Sequence, residues 1–154
     1  MKPEEQYLVA RLRQNARITL TALARETGIP ISTLFDWMRA LPTFGVTRLS
    51  ALLDFPALGL RTQATLLLKT AKRDKLQKHL RCAEPVNSLW RINNGYDFIA
   101  ECAFKDLREL EEFCDVLKRN YGVKNVETHL VIEELKREGA FMTLPKLQGV
   151  KRDE

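Results

Sequence analysis

The sequence predicts an α+β chain in which an N-terminal helix-turn-helix leads through a β linker into a ferredoxin-like βαββαβ domain. Three observations carry this expectation. Before residue 45 the apolar residues recur at helical spacing in three short segments; from residue 61 the period falls to two; and Asn94-Gly95 stands between two alternating runs, the strongest short-range signal for a hairpin. A chain of 154 residues is long enough for two small domains, and 45% apolar with 29% charged residues supports a packed core rather than a disordered chain.

Leu8, Val9 and Leu12 form the apolar stripe of a first helix over 4–14. Thr19 is placed to cap a second helix through Leu20, Leu23 and Ala24, and Gly28 follows where a left-handed turn would end it. A third helix over 31–41 shows Leu34, Met38 and Leu41 on one side and is closed by Pro42. Three short helices with a Gly-containing turn between the second and third describe a helix-turn-helix, whose third element enters the DNA major groove. A generic three-helix fragment fits the same spacing. Residues 46–60 alternate loosely, break at Pro56 and Gly59, and read as a linking strand.

In the second domain, expected over 61–137, Ala64, Leu66 and Leu68 mark a first strand, and Leu76, Leu80 and Ala83 a helix ending before Pro85. Val86, Ser88, Trp90 and Ile92 share one face of the next strand, and Tyr96, Phe98, Ala100, Cys102 and Phe104 one face of the strand returning from the hairpin. A helix over 106–121 puts Leu107, Leu110, Phe113, Cys114 and Leu117 on one side, and Val126, Thr128, Leu130 and Ile132 alternate along the last strand. Helices then cover one face of an antiparallel sheet and leave the other bare. That bare face would carry Leu67, Leu89, Ile99, Val131 and Leu135, or in the reverse orientation the set with Trp90 and Phe98; either way a partner subunit is the usual cover. Residues 138–154 read as a mobile or subunit-exchanged tail.

Composition narrows function. No run approaches the roughly 18 apolar residues of a membrane span, and the polar start does not resemble a secretory signal, so a cytoplasmic protein without a membrane partner is expected. The net charge is +5; through Ser50 seven bases stand against four acids, a net +3, which favours a polyanionic partner, double-stranded DNA. Cys82, Cys102 and Cys114 are odd in number and lack a CxxC pair, so they read as reduced thiols and not as a zinc site. His79 and His129 have no ligand spacing, His79 reading as a helix-surface and His129 as a sheet-face residue, and no nucleophile and base are grouped. No enzyme, metal or cofactor is expected.

With both halves placed, the chain resembles the leucine-responsive regulator/AsnC, or feast/famine, family of prokaryotic transcriptional regulators. The carriers are 8–28 (LVARLRQNARITLTALARETG), 29–46 (IPISTLFDWMRALPTFGV), Ala51-Leu52-Leu53-Asp54 with Leu58-Gly59, Gly95-Tyr96-Asp97, and Val126-Glu127-Thr128 with Glu133-Glu134, in that order. The resemblance implies a winged helix-turn-helix, a second domain that dimerises through its sheet and assembles further to tetramers or octamers, and small effectors, commonly amino acids, held between dimers. Related two-domain enzymes, the siroheme decarboxylases, carry a His- and Arg-rich segment that is not evident here.

The third helix offers DNA the side chains Ile31, Ser32, Thr33, Phe35, Asp36, Trp37 and Arg39. Ser32 and Thr33 suit phosphate or base edges, Arg39 guanine or phosphate, and Phe35 and Trp37 thymine methyls or packing on the first helix. Asp36 is an ion-pair partner for Arg39 or an acceptor for cytosine. Thr19, Arg17 and Arg48, with Arg13 and Arg25, complete the expected DNA contacts or are solvated. Relatives more often carry bases where Asp36 and Trp37 stand, and a capping Ser where Pro30 stands, so the helix is expected to begin with Pro in its first turn. Where relatives often read Gly-Asp at the hairpin, this chain has Asn94-Gly95, so a carboxylate suited to an ammonium group is missing there. Asp97 remains, and Thr128 offers a hydroxyl. The expected effector residues are therefore Asn94, Gly95, Asp97 and Thr128.

Overall fold

The computed structural model describes residues 1–139. They fall into two compact units, one of Met1–Leu52 that takes in 136–139, the other Leu53–Leu135. Each has its own apolar core.

In the first unit, α1 (Pro3–Gln14), α2 (Leu20–Thr27) and α3 (Ile31–Arg39) surround Leu8, Leu12, Leu23, Leu34 and Leu41. The start of α2 is set by Thr19, whose hydroxyl accepts from the Ala22 N–H at 3.1 Å, satisfying one of the free amides of a helix start. Its end is set by Gly28, at φ 71, whose N–H closes on the Ala24 carbonyl at 2.8 Å. Only Gly28, Ile29 and Pro30 separate α2 from α3, the short turn of a helix-turn-helix. Arg11 grips Glu26 through two nitrogens, at 2.7 and 2.9 Å, and so ties α1 to α2.

Two local expectations change here. Pro30 is not in the first turn of α3 but is its N-cap: the residue is extended, at ψ 141, and supplies only its carbonyl, to Leu34. The α-helix also stops at Arg39, and Leu41–Phe44 continue as a 3-10 turn, because Pro42 has no N–H to carry the ladder on. The expected linker strand is absent: after the 3-10 turn, 46–55 have no regular structure, and Pro56–Leu58 form a second 3-10 turn. An extended segment becomes a strand only when its amides and carbonyls meet a neighbour. No described strand stands beside it.

The second unit runs β1 (Thr62–Thr70), α4 (Arg73–Leu80), β2 (Val86–Arg91), β3 (Phe98–Phe104), α5 (Leu107–Tyr121) and β4 (Val123–Leu130). The sheet is antiparallel in the order β2-β3-β1-β4, the ferredoxin-like arrangement. Ala64, Leu66 and Leu68 of β1 and Phe98, Ala100, Cys102 and Phe104 of β3 turn to the helices and pack with Leu76, Leu80, Leu110 and Leu117. Each fully buried Leu or Phe contributes about 1.5–3 kcal/mol. The start of α5 is capped by Asp106, which accepts from the Glu109 N–H at 2.9 Å.

The bare sheet face differs from both expected sets. A bulge between Val86 and Ser88 lets Val86 pair with Cys102 and Ser88 with Glu101, so the one-residue shift throws Val86 and Ser88 onto opposite faces. Leu89 therefore packs on the helix side, and Trp90, paired with Ile99, joins Leu67 on the bare side. Phe98 is core. Of the expected tail, residues from 140 on lie outside the described residues; Glu138 accepts from Arg13. Among the described residues no helix is long and apolar enough to cross a membrane.

Candidate nucleic-acid interface

Helix α3 divides into two faces. Leu34 is 1% exposed and Trp37 and Met38 are half-buried against the first-unit core, whereas Ile31, Ser32, Phe35, Asp36 and Arg39 are all exposed. Positions 31, 32, 35, 36 and 39 lie on one stripe of an α-helix, so one continuous strip of side chains faces outward. Phe35 is 53% and Ile31 49% exposed; of the two aromatic residues on this helix, Trp37 packs and Phe35 does not. Thr33 is half-buried at the border of the stripe.

The charges of this unit separate in the same way. Arg11 is engaged by Glu26 and Arg13 by Glu138. Hydrogen bonding to Glu26 raises the Arg11 guanidinium above its ordinary value, so that charge serves the fold. Among the described residues Arg17, Arg25, Arg39 and Arg48 are exposed and in no ion pair, and Asp36 does not pair with Arg39. Thr19, exposed, spends its hydroxyl oxygen on the cap of α2. Arg17 stands in the turn before it, where its own N–H donates to Asn15. Arg48 lies in the irregular segment after the 3-10 turn.

In the second unit the hairpin tip places Asn94 at φ 61 and Gly95 at φ 99, both left-handed, as an Asn-Gly pair can and most residues cannot. Asp97 closes the hairpin from inside. It is 3% exposed, its carboxylate accepts from the Thr70 N–H at 2.9 Å and the Arg73 Nε at 2.6 Å, and Lys69 stands 3.9 Å away. The Thr70 amide, with Arg73 and Lys69 behind it, holds this carboxyl below its usual range against the opposing effect of burial. Both carboxylate oxygens are thus committed within the chain. Thr128 sits on β4 opposite Leu66, on the helix side near Cys114, with β1 between it and β3. Within one chain the structure therefore joins Asn94, Gly95 and Asp97 at one hairpin and leaves Thr128 apart from them.

Residues to which the sequence assigned no binding role gather on the bare face. The Tyr96 hydroxyl donates to Glu127 at 2.5 Å and accepts from Asn125 at 3.2 Å, while His129 stands 2.9 Å from the other Glu127 oxygen. The hydrogen bond from Tyr96 lowers the Glu127 carboxyl. Period two already aligned Asn125, Glu127 and His129; the reach of Tyr96 across β1 required the sheet order. His79, expected on a helix surface, instead stacks on Tyr121 of α5 with ring centres 4.0 Å apart. Among the described residues no cluster of three or more His, Cys, Asp or Glu is arranged to hold a metal.

Comparison with known proteins places these features. Residues 62–141 match the model of the Lrp/AsnC ligand binding domain. The HTH-type transcriptional regulator AldR of Mycolicibacterium smegmatis is 30% identical over 139 residues, covering 86% of this chain and 81% of that protein. A transcriptional regulator of Neisseria meningitidis, solved in complex with L-methionine, shares the fold with a TM-score of 0.84 at 20% identity, over 92% of this chain and 96% of its own. The feast or famine regulatory protein of M. tuberculosis, also complexed with L-methionine, gives 0.78 at 20% identity, over 90% and 95%. A helix-turn-helix unit followed by a matched ligand-binding domain, in that order and over most of the length of such relatives, leads to one assignment: the chain belongs to the Lrp/AsnC family.

Proposed function

We propose that this protein is a sequence-specific DNA-binding transcriptional regulator of the cytoplasm that works as a homo-oligomer under the control of a small effector, an amino acid first of all. The observation that carries the reading is the outward stripe of α3: five neighbouring exposed positions, one of them an arginine without an ion pair among the described residues, on a helix whose other side is sealed into its unit. On this reading α3 lies in the major groove with Ser32, Phe35, Asp36 and Arg39 toward base edges and Thr33 and Trp37 at the rim. Thr19, Arg17 and Arg48 lie toward phosphates. Binding and assembly, not a reaction, are the work assigned.

Two features support the rest. Leu67, Trp90 and Ile99 lie on the sheet face opposite the helices of the second unit, and a second copy meeting it through the same face gives a homodimer that can build to tetramers or octamers. The effector is assigned to the hairpin region, where Asn94 and Gly95 offer main-chain groups, Asp97 braces the turn and Thr128 supplies a hydroxyl, from the same chain or a neighbouring one. Methionine, bound by two relatives, is the first probe.

Asp36 favours a second reading, an effector-binding or oligomerisation module with weak DNA affinity, because an exposed carboxylate on the stripe repels phosphate. Binding to selected duplexes at several salt concentrations separates the two. About 6–10 phosphate contacts in the assembly make affinity fall by roughly 10³–10⁵ between 50 and 200 mM salt. Weak binding that does not respond to salt sinks the regulator reading and leaves the module.

A further inference from the structure

We propose that Ile31 and Phe35 form an apolar reader of thymine methyl groups, so that the duplex this protein selects carries thymines beneath the first two turns of α3. The inference rests on α3 being the DNA-reading helix and names what it reads.

Both side chains are about half exposed on the outward stripe, one turn apart, while the helix spends Leu34 on the core instead. Neither can donate or accept a hydrogen bond. In the major groove guanine, cytosine and adenine present only donors and acceptors along their edges, and thymine alone adds an apolar group, its 5-methyl. An apolar ring pressed on the other bases strips water from polar atoms and gives nothing back, whereas on thymine it buries methyl against ring. Selection therefore comes from both attraction and exclusion.

The neighbours on the stripe agree with this partner. Arg39, exposed and in no ion pair among the described residues, supplies the charge complementarity that a groove between phosphates requires. Asp36, an acceptor only, matches the cytosine amino group and no phosphate. Positions 31 and 35 are about 6 Å apart along the helix. With bases about 3.4 Å apart along one strand, they cover methyls on adjacent or next-adjacent steps.

The test starts with the full-length protein and duplexes it selects from a random-sequence pool. Each thymine of a selected duplex is then replaced by deoxyuridine, which removes only the methyl. We expect one or two positions to lose about fourfold in affinity each, the effect of one methyl-sized group leaving an apolar contact. Phe35→Ala or Ile31→Ala should bind the thymine and uracil duplexes alike at the matching position. Both side chains lie outside the core, and circular dichroism checks that each variant is folded. Arg39→Ala should weaken both duplexes and keep their ratio. If no duplex is selected with salt-dependent affinity, the DNA reading fails and this proposal with it. If duplexes bind but thymine and uracil forms are equal at every position, the methyl reader is overturned while the DNA reading stands.

Discussion

Two buried or half-buried titratable side chains set how the second unit responds to acid, and both act in the same direction. Asp97 has a folded-state carboxyl below its ordinary value, the Thr70 N–H being the first cause. Its contribution is fully present above about pH 4 and fades as pH falls through the depressed value. Asp97→Asn should flatten that acid limb in chemical denaturation and lower stability at neutral pH by about 2 kcal/mol, the scale of hydrogen bonds to a charged group. His79 works from the other side: burial lowers its imidazole below the ordinary value, and its Nε2 is buried without a partner among the described residues. The unfolded chain then takes up the proton more readily, so stability declines as pH drops below about 6.5 and levels off under the folded value. His79→Phe, which keeps the stack on Tyr121, should remove this component and leave the Asp97 limb in place. An unchanged slope between pH 7 and 5 would refute the assignment.

At the scale of elements, stops proved more legible than pairings. Gly28 told where α2 ends because its effect is local, a left-handed turn acting wherever it stands, and Pro42, with no N–H to give, marked the end of α3 to within two residues. Gly28→Ala tests this directly. A Cβ there meets nothing within 4 Å, so the change should cost only the conformational strain, about 1–2 kcal/mol, seen as a lower melting temperature with α2 and α3 intact. Pairings are different, since they depend on neighbours remote in sequence. The linker segment over 46–60 alternated like a strand and is none, because alternation says nothing about whether a partner stands alongside. The bulge after Val86 was equally hidden: one extra residue inverted the faces of Leu89 and Trp90, and nothing in VNSLWR marks the slip. The outward stripe of α3 was readable as far as Ser32, Phe35, Asp36 and Arg39. That Trp37 and not Phe35 turns inward was decided by the core around Leu8, Leu12 and Leu23. Asp97 was picked out, but its role as a brace, linking the ends of β1 and β3 to α4, came only with the fold.

For the molecule as a whole, the proposed assembly rests on the bare sheet face. Trp90 is 48% exposed beside Ile99, on a surface that gains stability only when water leaves it. Trp90→Glu should shift sedimentation toward the monomer with the far-ultraviolet spectrum preserved; a variant that sediments like the parent would overturn the proposed pairing through this face. The thiols offer a way to watch the second unit open. Cys82 is exposed, while burial first of all pushes Cys102 up to about 12 and also raises Cys114, so neither forms the reactive thiolate near neutral pH. A maleimide should therefore attach once per folded chain and three times in denaturant. Because Cys102 lies on β3 and Cys114 on α5, the rate at which the second and third labels arrive times the parting of sheet from helix, and an effector that tightens this unit would declare itself as a delay.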